Sequence, residues 1–182
     1  MTEEIAAHDA YIAAAEGRVV EVLPEGVVLD RTVFYARGGG QPGDTGVLCI
    51  AGGQVEVTDT VRASGKIIHV VTGPGRLEPG MDVEGVIDWD RRYRLMRTHT
   101  ALHALSGVVW RDFGAKVTGG NMEPGAARMD FELDSMSVEF GQQVERTLND
   151  ELVKGYPAEV IFMARGIALS DPDLIRTKVN LI

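Results

Sequence analysis

The sequence predicts an α+β fold, in which a small N-terminal β-barrel-like module precedes an α/β sandwich built on one long helix and antiparallel strands. Short segments rich in Val and Ile, separated by Gly and Pro turns, fill residues 17–88. Strands at this spacing are typical of a small barrel or a meander. From Trp89 onwards, helix-like and strand-like segments alternate. We therefore expect two domains, a β-rich module over residues 1–88 and an α+β domain over residues 89–182.

The expected N-terminal elements follow from the apolar pattern and from turn signals. His8–Ala15 predicts a short helix. Turns that contain Gly, Pro or Ser then bound each of the expected strands. These strands are Gly17–Leu23, Gly26–Asp30, Thr45–Ile50, Gln54–Arg62, Lys66–Val71 and Met81–Asp88.

The C-terminal half is organised around a helix predicted over Trp89–Phe113, a stretch without Pro in which apolar residues recur at helical spacing. Asp88 and Asp90 are candidate N-caps for this helix. A strand, a helix stopped by Gly155, a second strand and a last helix capped by Ser170 are expected after it. Their predicted ranges are Ala126–Leu133, Ser137–Lys154, Ala158–Ala164 and Asp171–Val179.

Composition limits the classes of protein to which this chain can belong. It has 182 residues, a net charge of −9 and a single cysteine, so we expect no internal disulfide and a cytoplasmic location. No apolar run approaches the roughly 18 residues of a membrane-spanning helix, and the acidic start lacks the features of a signal peptide. The acidic charge argues against broad, non-specific nucleic-acid binding. The oligomeric state stays open, a dimer included.

Two histidines on the long helix are candidate metal ligands. His99 and His103 are four residues apart, which places both imidazoles on one helical face. Such a pair can bind one zinc ion, although two partly buried, hydrogen-bonded histidines are the simpler interpretation. No Glu lies between them, so a metalloprotease is not indicated. The other histidines, His8 and His69, are expected to be surface or structural residues.

The start of the same helix carries a cluster of four arginines, Arg91, Arg92, Arg94 and Arg97. A solvated basic face is the common explanation for such a cluster. A phosphate contact beside the histidine pair is the sharper hypothesis, and Arg97 is the candidate substrate-binding residue.

A second stretch that could bind a ligand is Arg31–Gly46, which reads R-T-V-F-Y-A-R-G-G-G-Q-P-G-D-T-G. Gly38, Gly39 and Gly40 have no Cβ, so their main-chain groups can approach a ligand closely. Gln41 adds an uncharged amide that both donates and accepts. A glycine-rich turn between strands explains the composition equally well, and no Gly-Lys-Ser/Thr ends the stretch, so it is not a P-loop.

Together, T-V-F-Y-A-R-G-G-G-Q-P-G-D-T-G and the later R-T-H-T-A-L-H-A-L resemble the editing domain of alanyl-tRNA synthetase. In particular the chain is similar to the free-standing AlaX trans-editing proteins, in the longer form that keeps the Gly-rich loop. The resemblance runs from His8 to the Ser170–Val179 region. It implies hydrolysis of tRNA(Ala) mischarged with serine, and in some members glycine, with zinc as cofactor and the aminoacyl-tRNA acceptor end as partner.

The resemblance also assigns roles to individual residues. His99 and His103 match the first pair of zinc ligands. Thr32 matches a threonine linked to recognition of the seryl hydroxyl, and with Gln41 it forms the expected catalytic set. Gly38, Gly39 and Gly40 match the loop that closes over the substrate.

One part of the family pattern is missing, because the family's zinc site also uses a later Cys-x-x-x-His and this chain has no His or Cys after His103. Zinc sites need three or four protein ligands. We expect the chain to be a C-terminally shortened form with an incomplete second domain. Alternatively, the chain is a relative that has lost the metal, or Asp130, Glu132 or Asp134 completes the site.

Three functions from different classes remain open on the sequence. The first is an aminoacyl-tRNA deacylase. The second is a non-catalytic RNA- or protein-binding relative that has lost the metal site. The third is a metal-dependent hydrolase of small acyl substrates.

Overall fold

The structure is a computed structural model that describes residues 2–171, 173–174 and 176–177. It confirms a mixed α+β fold with an N-terminal β module. The chain divides into two compact units, Met1–Leu95 and Met96–Ile182. The boundary between these units falls inside the long helix, whereas the expected domain boundary at residue 88 stays a prediction.

The first unit is built on a closed, six-stranded antiparallel barrel. Its elements in chain order are β1 (Glu3–Glu4), α1 (Ile5–His8), β2 (Ala14–Leu23), β3 (Gly26–Leu29), β4 (Arg31–Thr32), β5 (Gly46–Ile50), β6 (Gly53–Ala63), β7 (Lys66–Val71), a 3-10 turn (Pro74–Arg76) and β8 (Asp82–Ile87). The barrel closes in the order β2-β3-β7-β6-β5-β8, and β1 pairs with β4 in parallel outside it. Closure pairs the strand edges that an open sheet of this size would expose.

The six predicted barrel strands are confirmed, with ends that shift by at most three residues. The predicted helix at His8–Ala15 is wrong, because the short helix α1 ends at His8 and β2 begins at Ala14. Ala14 and Ala15 favour a helix by propensity, but they pair with Val86 and Gly85 of β8. The ladder that closes the barrel therefore overrides local helix propensity.

The long helix α2 spans Trp89–Phe113, as predicted. Of the two candidate caps, Asp88 is the one used, since its carboxylate accepts a hydrogen bond of 3.0 Å from the Arg91 backbone N–H. No helix in the part of the chain that the structure describes is long and apolar enough to cross a membrane.

The second unit contains the rest of α2, a β-hairpin and two further helices. These are β9 (Val117–Glu123), β10 (Ala126–Phe131), α3 (Val138–Val153) and α4 (Arg165–Ser170). The hydroxyl of Ser137 caps α3 by accepting from the Phe140 backbone N–H at 3.1 Å. Gly155, with φ +63°, follows the end of α3 as expected.

Two C-terminal predictions are wrong. Ala158–Ala164 is not a strand, and Val160, Ile161 and Phe162 are 69–74% exposed there. An apolar run becomes a strand only when another strand pairs with it. Ser170 ends α4 and donates to the Ile167 carbonyl, and the described residues of the predicted helix Asp171–Val179 are not helical. Residues 172, 175 and 178–179 of that range lie outside the described part of the chain.

Strand β9 was not predicted, because Gly119 and Gly120 interrupt its alternating pattern. A Cβ at Gly120 would lie 2.7 Å from the Arg128 carbonyl oxygen of the partner strand. The glycine that weakens the sequence signal is therefore what allows close approach of the two strands.

A buried ion pair joins the start of α2 to the barrel unit. Arg92 and Asp44 are 2% and 1% exposed. The Arg92 Nε donates to the Asp44 carboxylate at 2.9 Å, and the two side chains also pair through Nη2. Two further N–H groups of Arg92 donate to the carbonyls of Val33 at 2.7 Å and Ala10 at 2.9 Å. One guanidinium thus ties together three separate segments of the unit.

A second buried polar pair lies within the barrel. His69 is fully buried, with its Nδ1 3.1 Å from the Val27 carbonyl and its Nε2 2.7 Å from the Thr32 hydroxyl. Because a carbonyl only accepts, Nδ1 carries the proton and Nε2 accepts from Thr32. Thr32 in turn accepts from the Phe34 backbone N–H at 3.0 Å. Burial lowers the pKa of His69 to about 4, so its imidazole is neutral near pH 7.

Replacing Arg92 by Met should strongly destabilise the protein. The substitution leaves the Asp44 carboxylate buried without its charge partner, and breaking such a pair costs about 3–5 kcal/mol. Urea unfolding followed by circular dichroism measures the change. Arg18→Met is the matched control, because it removes an exposed ion pair with Asp82 and should have a far smaller effect. Equal losses in the two variants would contradict the importance of the buried pair.

The neutral state of His69 predicts a loss of stability in mild acid. Its folded pKa of about 4 lies below the ordinary value of 6.5, so the unfolded state binds the proton first as pH falls. Stability should therefore be complete above pH 6.5 and decline between pH 6.5 and 4, by about 3 kcal/mol for this group.

The measurement is the free energy of unfolding at several pH values for the wild type, His69→Gln and the control His8→Gln. The wild type and His8→Gln should share a steep dependence, whereas His69→Gln should show a shallower one. The same slope in all three proteins would show that His69 titrates normally in the fold.

Candidate functional site

The Gly-rich stretch forms a tight two-residue turn. The backbone N–H of Gly38 donates to the Gln41 carbonyl at 3.1 Å, and the N–H of Gln41 donates to the Gly38 carbonyl at 2.9 Å. Gly39 and Gly40 between them have φ of +56° and +79°. Two consecutive positive φ values favour glycine, so the turn explains two of the three glycines. Its tip is exposed and remains accessible to a ligand.

Several contacts hold the base of this turn. The Tyr35 hydroxyl donates to the Gly38 carbonyl at 3.0 Å, and the Arg37 backbone N–H donates to the Thr60 carbonyl at 2.8 Å. Burial raises the pKa of Tyr35, so its hydroxyl keeps its proton. A Cβ at Gly43 would lie 2.0 Å from the Thr60 carbonyl oxygen. The exposed tip therefore rests on a base with little freedom to move.

The two expected catalytic residues of this unit are both buried. Gln41 is 5% exposed and Thr32 is 3% exposed. The hydroxyl proton of Thr32 is directed at His69, and its oxygen already accepts one bond from Phe34. One lone pair of that oxygen remains, so Thr32 can accept a hydrogen bond from a ligand but cannot donate one without releasing His69.

His99 and His103 lie side by side on α2, as their spacing predicted. Their ring centroids are 4.8 Å apart and the rings are inclined by 16°. Burial lowers the pKa of His99, and the neighbouring His103 lowers it further. Both effects favour the neutral imidazole, which is the form that binds a metal ion.

The described residues offer only part of a zinc site. Within residues 2–171, 173–174 and 176–177, no group of three His, Cys, Asp or Glu side chains is placed to hold a metal ion. The expectation that Asp130, Glu132 or Asp134 completes the site is therefore not supported, and Asp130 instead pairs with Arg128 at 3.2 Å. Two imidazoles fit zinc chemically but fall short of the three or four protein ligands that zinc needs.

The four clustered arginines of α2 differ in environment. Arg92 is the buried partner of Asp44, and Arg91 donates through Nη1 to the Gly43 carbonyl at 2.7 Å. Arg94 and Arg97 are exposed. A solvated basic face is therefore wrong for Arg92. Arg92 lies three residues before Leu95 and four before Met96, which places it on the apolar stripe of the helix. This spacing is the feature of the sequence that indicates its burial.

The structure groups the expected site residues within the units. Thr32, Gly38–Gln41 and the newly found His69 belong to Met1–Leu95. Arg97, His99 and His103 belong to Met96–Ile182. Within the first unit, Gly38 is hydrogen-bonded to Gln41 and Thr32 is hydrogen-bonded to His69. Within the second unit, the rings of His99 and His103 contact each other.

Comparison with known proteins gives consistent matches. Residues 7–91 match the family model of tRNA synthetases class II (A). The chain is 38% identical over 178 residues to the alanyl-tRNA editing protein AlaX-M of Saccharolobus solfataricus, which covers 97% of this chain and 75% of that protein. The AlaX-M of Methanosarcina mazei is 36% identical over 174 residues, covering 91% of this chain and 69% of that protein.

A match to a longer protein puts these similarities in context. The alanine–tRNA ligase of Pyrococcus abyssi is 41% identical over 144 residues, but the chain spans only 16% of that enzyme. The AlaX-M proteins, in contrast, are matched over more than two thirds of their own length. The chain therefore belongs to the AlaX-M family of alanyl-tRNA editing proteins.

Proposed function

We propose that the protein is a trans-editing hydrolase that deacylates mischarged tRNA(Ala), with Ser-tRNA(Ala) as its substrate and Gly-tRNA(Ala) as a second candidate substrate. The observation that carries this proposal is the 38% identity to an alanyl-tRNA editing protein over 97% of the chain. The reaction removes the amino acid from the tRNA by hydrolysis of one ester bond, and it contributes to the fidelity of translation in the cytoplasm.

The residues of the first unit suit the demands of this reaction. An aminoacyl ester is already labile, so the protein has chiefly to position it and polarise its carbonyl. The exposed Gly39–Gly40 tip presents main-chain groups without side-chain obstruction. Gln41 would supply a neutral amide for orientation. A neutral amide avoids the desolvation penalty of a buried charge.

Thr32 is proposed to favour serine over alanine through the one lone pair that its oxygen keeps. The Thr32 hydroxyl donates its hydrogen bond to Nε2 of His69. The threonine oxygen can therefore only accept a hydrogen bond from the substrate, and a seryl hydroxyl can donate one. Alanine has no hydroxyl and would leave the buried oxygen without this bond. Sites built around a hydroxyl discriminate strongly against analogues that lack it, and correctly charged Ala-tRNA(Ala) must survive.

Zinc is the cofactor that we propose, with His99 and His103 as two of its ligands. The parallel rings and the lowered pKa of His99 support this assignment. Bound zinc would supply Lewis-acid chemistry and a site for the attacking water. Arg97, exposed on α2, is proposed to bind a phosphate of the substrate.

A non-catalytic binding protein is the second candidate function. It is favoured by one observation, that the described residues contain no third metal ligand beside the histidine pair. Such a protein would bind tRNA without hydrolysing its ester.

Deacylation and metal content should distinguish these functions. The wild type should contain zinc and release serine from Ser-tRNA(Ala) faster than alanine from Ala-tRNA(Ala), while His99→Ala and His103→Ala lose both properties. Zinc is measured by inductively coupled plasma mass spectrometry, and deacylation by loss of radiolabelled amino acid from the tRNA. His8→Ala, an exposed histidine of the other unit, is the matched control. A wild type that binds Ser-tRNA(Ala), Gly-tRNA(Ala) and Ala-tRNA(Ala) but hydrolyses none of them would establish the binding function instead.

A further inference from the structure

Three aromatic rings form a row on the surface of the first unit. The ring centroids of Tyr11 and Trp89 are 5.8 Å apart, with an interplanar angle of 51°. Those of Trp89 and Tyr93 are 5.9 Å apart, with an angle of 28° that makes the pair nearly stacked. We call Tyr11, Trp89 and Tyr93 the aromatic row.

The outer members of the row are unusually exposed. Tyr11 is 65% exposed and Tyr93 is 42% exposed. Among the described residues of this unit, Val20 is the one other large hydrophobic side chain with comparable exposure. Trp89, between the two tyrosines, packs against the hydrophobic core of the barrel. The central ring of the row, Trp89, is therefore fixed by its packing against the core, whereas the two tyrosines at its ends are exposed to solvent.

The row is held next to the Gly-rich turn by the buried arginine. The Arg92 guanidinium binds the Ala10 carbonyl, directly before Tyr11, and the Asp44 carboxylate, which follows the turn. Arg91, between Trp89 and Tyr93 in sequence, donates to the Gly43 carbonyl. The same helical turn thus carries the row and contacts the loop proposed to meet the substrate.

Charge alone gives this protein little affinity for RNA, because its net charge is −9 and the affinity gained by neutralising phosphates depends on Lys and Arg. Base stacking on aromatic side chains does not depend on charge and is tolerant of sequence. An unpaired RNA base accordingly fits this surface better than a duplex backbone does.

We propose that the aromatic row is a stacking platform for unpaired bases at the single-stranded 3′ end of the RNA substrate. The inference rests on the proposed tRNA substrate and adds a binding site outside the Gly-rich turn and the histidine pair. Stacking there would fix the end of the RNA close to the loop, so that the row contributes to substrate binding and not to the chemical step.

The test measures binding of uncharged RNA, so that it does not depend on hydrolysis. The probes are an acceptor-stem minihelix with an unpaired 3′ overhang and the same duplex with a blunt end. Tyr11→Ala and Tyr93→Ala should each weaken binding of the overhang probe about tenfold and leave binding of the blunt probe unchanged. Tyr11→Phe and Tyr93→Phe keep the rings and should bind as the wild type does. Val20→Ala and Tyr156→Ala, which remove exposed side chains outside the row, are matched controls.

Fluorescence provides a second measurement on a folded protein. Trp89 and Trp110 are the two tryptophans of the chain, so Trp110→Phe leaves Trp89 as the single reporter. The overhang probe should quench or shift Trp89 emission, and the blunt probe should not. Thermal unfolding of each variant checks that its fold is intact.

The outcomes separate this inference from the proposed function. Overhang-dependent binding that is lost in the alanine variants supports the platform, even if no charged tRNA is hydrolysed. Equal binding of both probes, or alanine variants that bind the overhang like the wild type, would overturn it. The tyrosines would then only cover Trp89, and active deacylation in those variants would leave the hydrolase function standing.

Discussion

A guanidinium removed from water must find both a negative charge and several hydrogen-bond acceptors, and Arg92 finds all of them in the first unit. Asp44 supplies the charge, and the carbonyls of Val33 and Ala10 complete the set. These acceptors come from segments far apart in sequence. The buried pair of Arg92 and Asp44 therefore fixes the relative positions of three segments, namely the Gly-rich turn, the N-terminal segment and the start of α2. The exposed ion pairs of the barrel do not impose a comparable constraint, because water and salt screen them.

The proposed site follows from this arrangement. The turn at Gly38–Gln41 can expose two glycines because its base is held by Tyr35, Thr60 and Arg91. A rigid base lowers the entropy cost of presenting main-chain groups to a ligand. The buried pair of Thr32 and His69 is likewise fixed in one arrangement, because the hydrogen bond to His69 sets the direction of the threonine O–H. Polar groups with a defined direction are what a site needs to distinguish a hydroxyl from a methyl group.

An acidic protein that acts on an acidic polymer needs interactions that do not depend on net charge. The aromatic row and the main-chain turn of the first unit are both of this kind. Such a surface would favour the unpaired end of an RNA, where bases and the aminoacyl group are accessible, over the regular duplex. Because these interactions do not depend on net charge, a net charge of −9 is compatible with the proposed tRNA substrate.

The sequence by itself determined the fold class, the six barrel strands, the range of α2 and the family, because strand alternation, helical spacing and two glycine- and histidine-containing motifs are local properties. Only the tertiary structure decided what depends on distant partners. Ala14 and Ala15 lie in β2 because β8 pairs with them, and Ala158–Ala164 is not a strand because no strand in the described part of the chain pairs with it. The burial of Arg92, the partner of Thr32 and the contact between Tyr11 and Trp89 likewise involve residues separated by 37 to 82 positions. Periodicity reports which face of an element is apolar, but it cannot report which distant side chain completes a buried charge or covers a ring.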